Sequence, residues 1–140
     1  MREPFQTRVR VRGYEVDMRG HLNNAVYHQY AEHTRWECLR AAGLTQEKMT
    51  AAGLGPVQLE ATIRFRSELV DGDEVDVSCV FVWGEGKTFR LDQDFRRPDG
   101  TLAAELTTTG GLLDLTTRRL VADPAGHWRG LVGVPELLGL

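Results

Sequence analysis

Two cysteines in 140 residues, Cys38 and Cys79, are too few to build a disulfide framework. An excess of positive charge is also missing: 17 basic side chains face 20 acidic ones, for a net charge of −3. A phosphate-binding surface needs a basic excess, so no nucleic-acid partner is expected. No apolar run approaches the roughly 20 residues that span a bilayer, so no membrane association is expected either. Residues Met1 to Thr7 hold no apolar core of the kind a signal peptide requires, which makes a reducing cytoplasm the expected compartment. Repeats, linkers and low-complexity segments are absent as well. Residues 1–140 therefore read as a single domain, long enough to bury one core and too short for two.

What is present begins with Asp17-Met18-Arg19-Gly20-His21-Leu22-Asn23-Asn24, an isolated acid and a hinge glycine followed by polar groups. The stretch from Ala25 to Ala42 has no Pro or Gly, and Asn23 or Asn24 suits its N-cap, so the pattern predicts one long helix there. Val26, Tyr27, Tyr30, Ala31, Thr34, Cys38 and Ala41 recur at three- and four-residue spacing as its inner face, and Gly43 ends it. A shorter helical turn is expected at Gln46 to Ala51. Strands surround these helices. Thr7 to Arg12 alternates Val9 and Val11 with three arginines, and Val57 to Phe65 alternates even more clearly. Asp71-Gly72-Asp73 turns into a strand at Val75 to Trp83, Gly84-Glu85-Gly86 makes a hairpin into Thr88 to Arg97, and Pro98-Asp99-Gly100 leads into Thr101 to Leu115. Gly110-Gly111 in the last strand predicts a bulge or a close approach to the backbone. Asp123-Pro124 opens an irregular tail, with a turn of helix after Pro135. Short connections imply an antiparallel meander, and one helix covers only one face of such a sheet. A second subunit is the economical cover for the rest.

An acid placed just before a helix N-terminus joins a carboxylate to free N–H groups that can polarise a carbonyl or hold an anion. Asp17 is thus the leading chemical group. Gly20 serves backbone geometry, His21 either orients substrate or braces the turn, and Asn23 and Asn24 act first as caps. If the helix end lowers its pKa, Asp17 is ionised at neutral pH but a weak base, which favours direct attack over activation of water. Other residues have plainer readings. Glu32, beside His28 at i, i+4, is a rival acid that is equally suited to solvent or to pairing with Arg35. Cys38 fits the apolar stripe. His21, His28 and His33 lack the i, i+4 pairing of a zinc helix, so no metal is expected. The arginines of the first strand, with Arg64, Arg66, Arg96 and Arg97, fit a solvated strand face, although phosphate groups would suit them too.

Strand, Asp-x-x-Gly-His-x-Asn-Asn, a helix running from Ala25-Val26-Tyr27 through Tyr30, Glu32, Arg35 and Glu37 to Gly43, then Gly72-Asp73-Glu74-Val75, and finally Thr117-Arg118-Arg119 before Asp123-Pro124 form an ordered series. Over about residues 7 to 124 the chain resembles the hotdog-fold acyl-CoA thioesterases of the 4-hydroxybenzoyl-CoA thioesterase type. The resemblance implies an α+β hotdog fold, in which an antiparallel five-stranded sheet wraps around one long central helix. It also implies a homodimer or a dimer of dimers with active sites at the subunit interface. The implied reaction is hydrolysis of an acyl-CoA to free acid and coenzyme A, without a cofactor beyond the coenzyme A of the substrate. Asp17 would be nucleophile or general base, with N–H groups near Asn23 to Ala25 on the thioester carbonyl and Gly20, His21, Asn23, Asn24 and Ala25 in support. An acyl carrier protein thioester, a hotdog enoyl-thioester hydratase or dehydratase, and a noncatalytic acyl-thioester binding module are the alternatives.

Overall fold

The computed structural model describes residues 3–140; the two residues before them lie outside the description. Alternation makes the first strand, β1 (Phe5–Arg10), half-buried: Val9 faces inward, while Arg8 and Arg10 reach outward to Asp76 and Glu74. Such exposed ion pairs contribute only ~0–1 kcal/mol each, so burial rather than charge holds this strand in place. A 3₁₀ turn at Gly13–Glu15 and the Asp17 loop lead into α1 (Asn24–Ala41), which is followed by the short α2 (Gln46–Ala51). The remaining strands are β2 (Leu54–Phe65), β3 (Glu74–Trp83), β4 (Thr88–Arg96), β5 (Leu102–Asp114) and the two-residue β6 (Arg119–Leu120). They form one curled antiparallel sheet, so the five predicted strands gain a short sixth.

Sheet order is β1-β3-β4-β5-β2, with β6 also on β5. The expected meander holds for β3, β4 and β5 but fails at β2, which pairs with β5 from Leu54↔Asp114 to Phe65↔Ala104. The reason lies in the segment after β2. Ser67 to Asp73 turns away instead of folding into a tight hairpin: Leu22 N–H bonds to Leu69 O at 2.7 Å, and Gly72, at φ 87°, donates to Val11 O at 2.9 Å. These bonds carry the chain under the Asp17 loop and deliver β3 beside β1. A register shift between Gln58 and Glu60 places the bulge in β2, opposite Gly110 in β5. Added Cβ atoms would meet Val57 O at 3.1 Å from Gly110 and Leu120 Cδ2 at 2.9 Å from Gly111, so the glycine pair does mark a close approach.

The long helix lies against the inner sheet face. Its N-cap is Asn23, whose side chain accepts from Ala25 N–H at 2.9 Å. At the other end Leu44 N–H bonds to Leu39 O and Gly43 N–H to Arg40 O, with Gly43 at φ 83°. That is a Schellman ending, and a left-handed residue there favours glycine. The inner face carries Tyr27, Tyr30, Ala31, Thr34, Cys38 and Leu39. Ala41, assigned to this face by periodicity, is exposed instead; Ala42 beyond it is buried, because the last turn tightens into the cap.

Two apolar clusters flank the helix. Tyr27, Tyr30, Phe95, Leu106, Val9 of β1 and Val75 and Val77 of β3 pack near its start. Cys38, Leu39, Phe81, Phe89, Leu91 and Trp128 pack near its end. Trp128 comes from α3 (Pro124–Arg129), a helix where an irregular tail was expected. Asp123 caps it by accepting from Gly126 N–H at 3.1 Å, and Pro124 suits the first helical position, where its missing N–H costs nothing. A 3₁₀ turn at Pro135–Leu138 matches the turn expected after Pro135 and buries Leu138. No helix of the described residues is long and apolar enough to cross a membrane.

Candidate functional site

The Asp17 loop is tied mainly to itself. Asp17 N–H donates to His21 O at 2.8 Å and Gly20 N–H to Asp17 O at 2.9 Å, with Gly20 at φ 80°, a left-handed conformation that glycine adopts without strain. Asp17 Oδ1 accepts from Arg19 N–H at 2.9 Å and from His21 N–H at 3.3 Å. No donor among the described residues takes Oδ2, so one carboxylate oxygen is pinned and the other is open for chemistry. Desolvation works against the charge of Asp17, but those two amides and the nearby Arg19 and His21 outweigh it and hold the pKa below the ordinary 3.8. The expected lowering is present with a different cause: amides of its own turn supply it.

The helix N-terminus offers one donor. Ala25 N–H is occupied by the Asn23 side chain, Val26 N–H by Asn23 O, and Asn23 N–H by Glu15 O. Asn24 N–H takes no acceptor among the described residues. Of the predicted amides near Asn23 to Ala25, the geometry thus leaves Asn24 free and commits Asn23 and Ala25 to the cap. Asp17, His21 and Asn24 line one depression together with Tyr27 and Phe65. Tyr27 also packs edge-on against Phe65 and Phe95, at ring separations of 5.1 and 5.4 Å, so it serves core and site wall at once.

His21 is held from both sides. Arg19 Nη2 donates to Nδ1 at 3.0 Å, which places the ring proton on Nε2, and Nε2 faces Glu68. Both ring nitrogens are therefore committed, and the imidazole braces the loop against the segment after β2. One turn inward, Tyr30 donates its hydroxyl to Glu15 Oε1 at 2.5 Å, and the same oxygen accepts from Arg12 N–H. Burial, together with the hydrogen bond to Glu15, keeps the Tyr30 hydroxyl protonated far above its ordinary range.

Farther along α1 a cavity of about 370 Å³ lies between the helix and the inner sheet face, lined along the helix by His28, Glu32, Arg35 and Leu39. The predicted rival acid Glu32 is thus in the cavity wall with His28. Arg35 does not pair with it: the guanidinium turns inward and donates to Gln93 Oε1 at 3.2 Å, while Gln93 donates to Ala31 O at 3.1 Å. Burial pulls the Arg35 pKa down. The far end of the cavity is aromatic, with Phe81, Phe89 and Trp128 packed at ring separations of 5.6 to 6.1 Å. Cys38 lies in the buried cluster beneath, in contact with Cys79.

Sequence reasoning did not assign Arg35, Thr108 and Trp128 to this wall. The Asp-Pro cap before Trp128 was a usable signal for α3, whereas the inward facing of Thr108 depends on how β5 pairs. No group of three or more His, Cys, Asp or Glu side chains gathers as a metal site among the described residues.

Residues 11–129 match the family model of the thioesterase-like superfamily. The long-chain acyl-CoA thioesterase FadM of Escherichia coli is 31% identical over 119 residues, which cover 84% of this chain and 89% of FadM. The crystal structure of YbaW from Escherichia coli superposes with a TM-score of 0.82 at 29% identity, covering 91% of this chain and 98% of that one. SAV2348 of Staphylococcus aureus, solved in complex with CoA, superposes with a TM-score of 0.80 at 22% identity over 99% of this chain and 93% of that one. The last likeness speaks to fold alone.

Proposed function

The chain belongs to the thioesterase-like superfamily, and from that premise we propose that it hydrolyses acyl-CoA thioesters at Asp17, with the acyl chain lying along α1. The observation that carries this reading is that an open carboxylate oxygen, Asp17 Oδ2, and one uncommitted helix amide, Asn24 N–H, belong to residues lining one depression at the start of α1. A thioester carbonyl needs little activation beyond a nucleophile and a donor aimed at the developing oxyanion, and one such donor is often worth several kcal/mol. Asn24 N–H meets the carbonyl oxygen while Asp17 Oδ2 attacks the carbonyl carbon. The C–S bond breaks, coenzyme A leaves as the thiolate, and water then cleaves the resulting anhydride to regenerate the carboxylate and release the acid. A carboxylate with a depressed pKa is a poor proton acceptor, which favours this route over base catalysis. Coenzyme A enters only as part of the substrate, and no further cofactor is needed.

Gly20 sets the loop, His21 holds it, and Asn23 with Ala25 fixes the helix start. At the Asp17 loop itself, a hydratase would need His21 free to move protons on the acyl chain, and both of its nitrogens are engaged. The edge strand β2 leaves Leu59 and Phe65 about half exposed, at 50% and 48%. A second copy of the chain covering that edge makes a homodimer, or a dimer of dimers, and closes the groove beside Asp17. The cytoplasm is the matching compartment, and residues 1–140 act as one domain.

The experiment is a thiol-release screen across short, long and aromatic acyl-CoAs with Asp17→Asn as control. Turnover by the unaltered protein, reduced at least about a thousandfold by Asp17→Asn with acyl-CoA binding retained, supports the reading. Near-normal turnover in the variant contradicts it, and saturable binding without turnover in any substrate points to a binding module.

A further inference from the structure

The Asp17 loop is a small antiparallel ladder with its base at Glu15. Asp17 N–H donates to His21 O at 2.8 Å, Val16 pairs with Leu22, and Asn23 N–H donates to Glu15 O at 2.9 Å. Asp17 lies on the outgoing arm, and Asn24 follows directly after the returning arm. Whatever holds Glu15 against Asn23 therefore sets the spacing between the acid and the helix amide. Asn24 N–H is aimed from Asn23: the peptide joining them is trans and planar, so the N–H points opposite to Asn23 C=O. That carbonyl accepts from Val26 N–H at 2.9 Å, along the helix, which turns Asn24 N–H back out of the helix start. The Asn23 side chain takes Ala25 N–H, so three bonds grip Asn23, and the one from outside the helix start comes from Glu15.

Every polar atom of Glu15 has a partner. Besides the carbonyl on Asn23, its N–H donates to Arg12 O at 2.9 Å, Oε1 accepts from Arg12 N–H at 2.9 Å and from the Tyr30 hydroxyl at 2.5 Å, and Oε2 is 3.6 Å from the Arg12 guanidinium. Hydrogen bonds to an ionised acceptor are the strong ones, and only 11% of this side chain is exposed. Tyr30 is buried on α1, about 9 Å past Asn24 at ~1.5 Å per residue. A circuit closes: the body of the helix holds Glu15 through Tyr30, and Glu15 holds the helix start through Asn23. Glu15 does not line the depression shared by Asp17 and Asn24, so it acts on them through the backbone.

We propose that Glu15, locked by Tyr30, is a positioning residue that sets Asp17 and the Asn24 amide at their working separation. The inference rests on the acyl-thioester reading above and adds a residue to its machinery.

The test compares Glu15→Ala, Glu15→Gln and Tyr30→Phe in steady-state thiol release and in amide hydrogen exchange of the native proteins by NMR. Glu15→Ala is expected to lower kcat about a hundredfold with KM little changed, as a displacement of about 1 Å between reacting groups does. Glu15→Gln keeps an oxygen for Tyr30 and for the Arg12 amide, so it should recover most of kcat, and Tyr30→Phe should lose it severalfold. Glu15 takes no part in the lowered pKa of Asp17, so the acid limb of kcat should stay in place in all three. Asn23 N–H should exchange faster in Glu15→Ala and Tyr30→Phe while amides in the middle of α1 keep their protection, which separates a loosened loop from a damaged fold. A Glu15→Gln protein as impaired as Glu15→Ala, or an acid limb that moves with the lost charge, would give Glu15 an electrostatic role and overturn the proposal. Should Glu15→Ala not fold, Tyr30→Phe decides, and unchanged kcat with unchanged Asn23 exchange in that variant overturns the proposal as well. In a protein that releases no thiol from any substrate the hydrolytic reading fails, and the exchange arm decides alone: faster Asn23 exchange in Tyr30→Phe supports the coupling and unaltered exchange refutes it.

Discussion

At the N-terminal end of α1 many polar groups are tied to one another, while Asp17 Oδ2 and Asn24 N–H are left without a partner among the described residues. At the C-terminal end the wall is aromatic and aliphatic, and its two unpaired polar atoms are buried deep inside it. The first end is held by short hydrogen bonds within a loop of a few residues, which fix positions to a fraction of an ångström. The second is held by burial, which stabilises strongly but specifies shape more than direction. On the proposed reading, chemistry sits where direction is fixed, and chain recognition sits where volume is.

Removing the distal anchor should give the largest change in stability. Trp128→Ala takes out a ring packed against Phe81, Trp83 and Phe89 and should cost about 3–5 kcal/mol, read from urea unfolding. The same variant should lose turnover of long acyl-CoAs while short ones survive; an equal loss on both would erase the distinction between the two ends. At the proximal end Tyr30→Phe removes the hydroxyl that serves Glu15. A hydrogen bond to a charged acceptor is worth about 1.5–3 kcal/mol, so that loss should appear in the same unfolding assay. Its effect on long against short substrates should be even.

The smallest effect sharpens the proximal end alone. Against desolvation, Asp17 is held below the ordinary 3.8 by the amides of Arg19 and His21 and by the Arg19 guanidinium. On the proposed mechanism the active form is the carboxylate, so activity should be complete above that value and fall as the pH drops through the depressed pKa. Arg19→Ala removes one positive charge and leaves its backbone amide in place. The acid limb of kcat/KM should therefore move upward in this variant, with the plateau at neutral pH little changed. An unmoved limb would mean that the backbone amides set the pKa without the guanidinium.

The two ends also differed in how far the sequence revealed them. Asp17, Gly20, His21 and the Asn23 cap are close in sequence, and local turn and cap chemistry is strong enough to announce itself in a few residues. The helix and the strands were readable for the same reason, since Val9, Val57 and Val75 begin clear alternations. Pairing of β2 with β5 was not, because it depends on where Ser67 to Asp73 is anchored, and that anchor is Leu22 and Val11 far earlier in the chain. Trp128 was hidden by the shortness of α3, six residues that show no helical period although Asp123 and Pro124 announce its start. Arg35 looked like a surface partner for Glu32 and turned inward because Gln93 offers a buried acceptor.

The central claim is that one groove joins both ends. A crystal structure of the Asp17→Asn protein with a bound long-chain acyl-CoA tests it most directly. The claim predicts the thioester carbonyl oxygen within hydrogen-bond distance of Asn24 N–H, residue 17 beside the carbonyl carbon, and the chain running along α1 to Trp128. A thioester bound away from Asn24, or an acyl chain leaving the groove before Arg35, would contradict it.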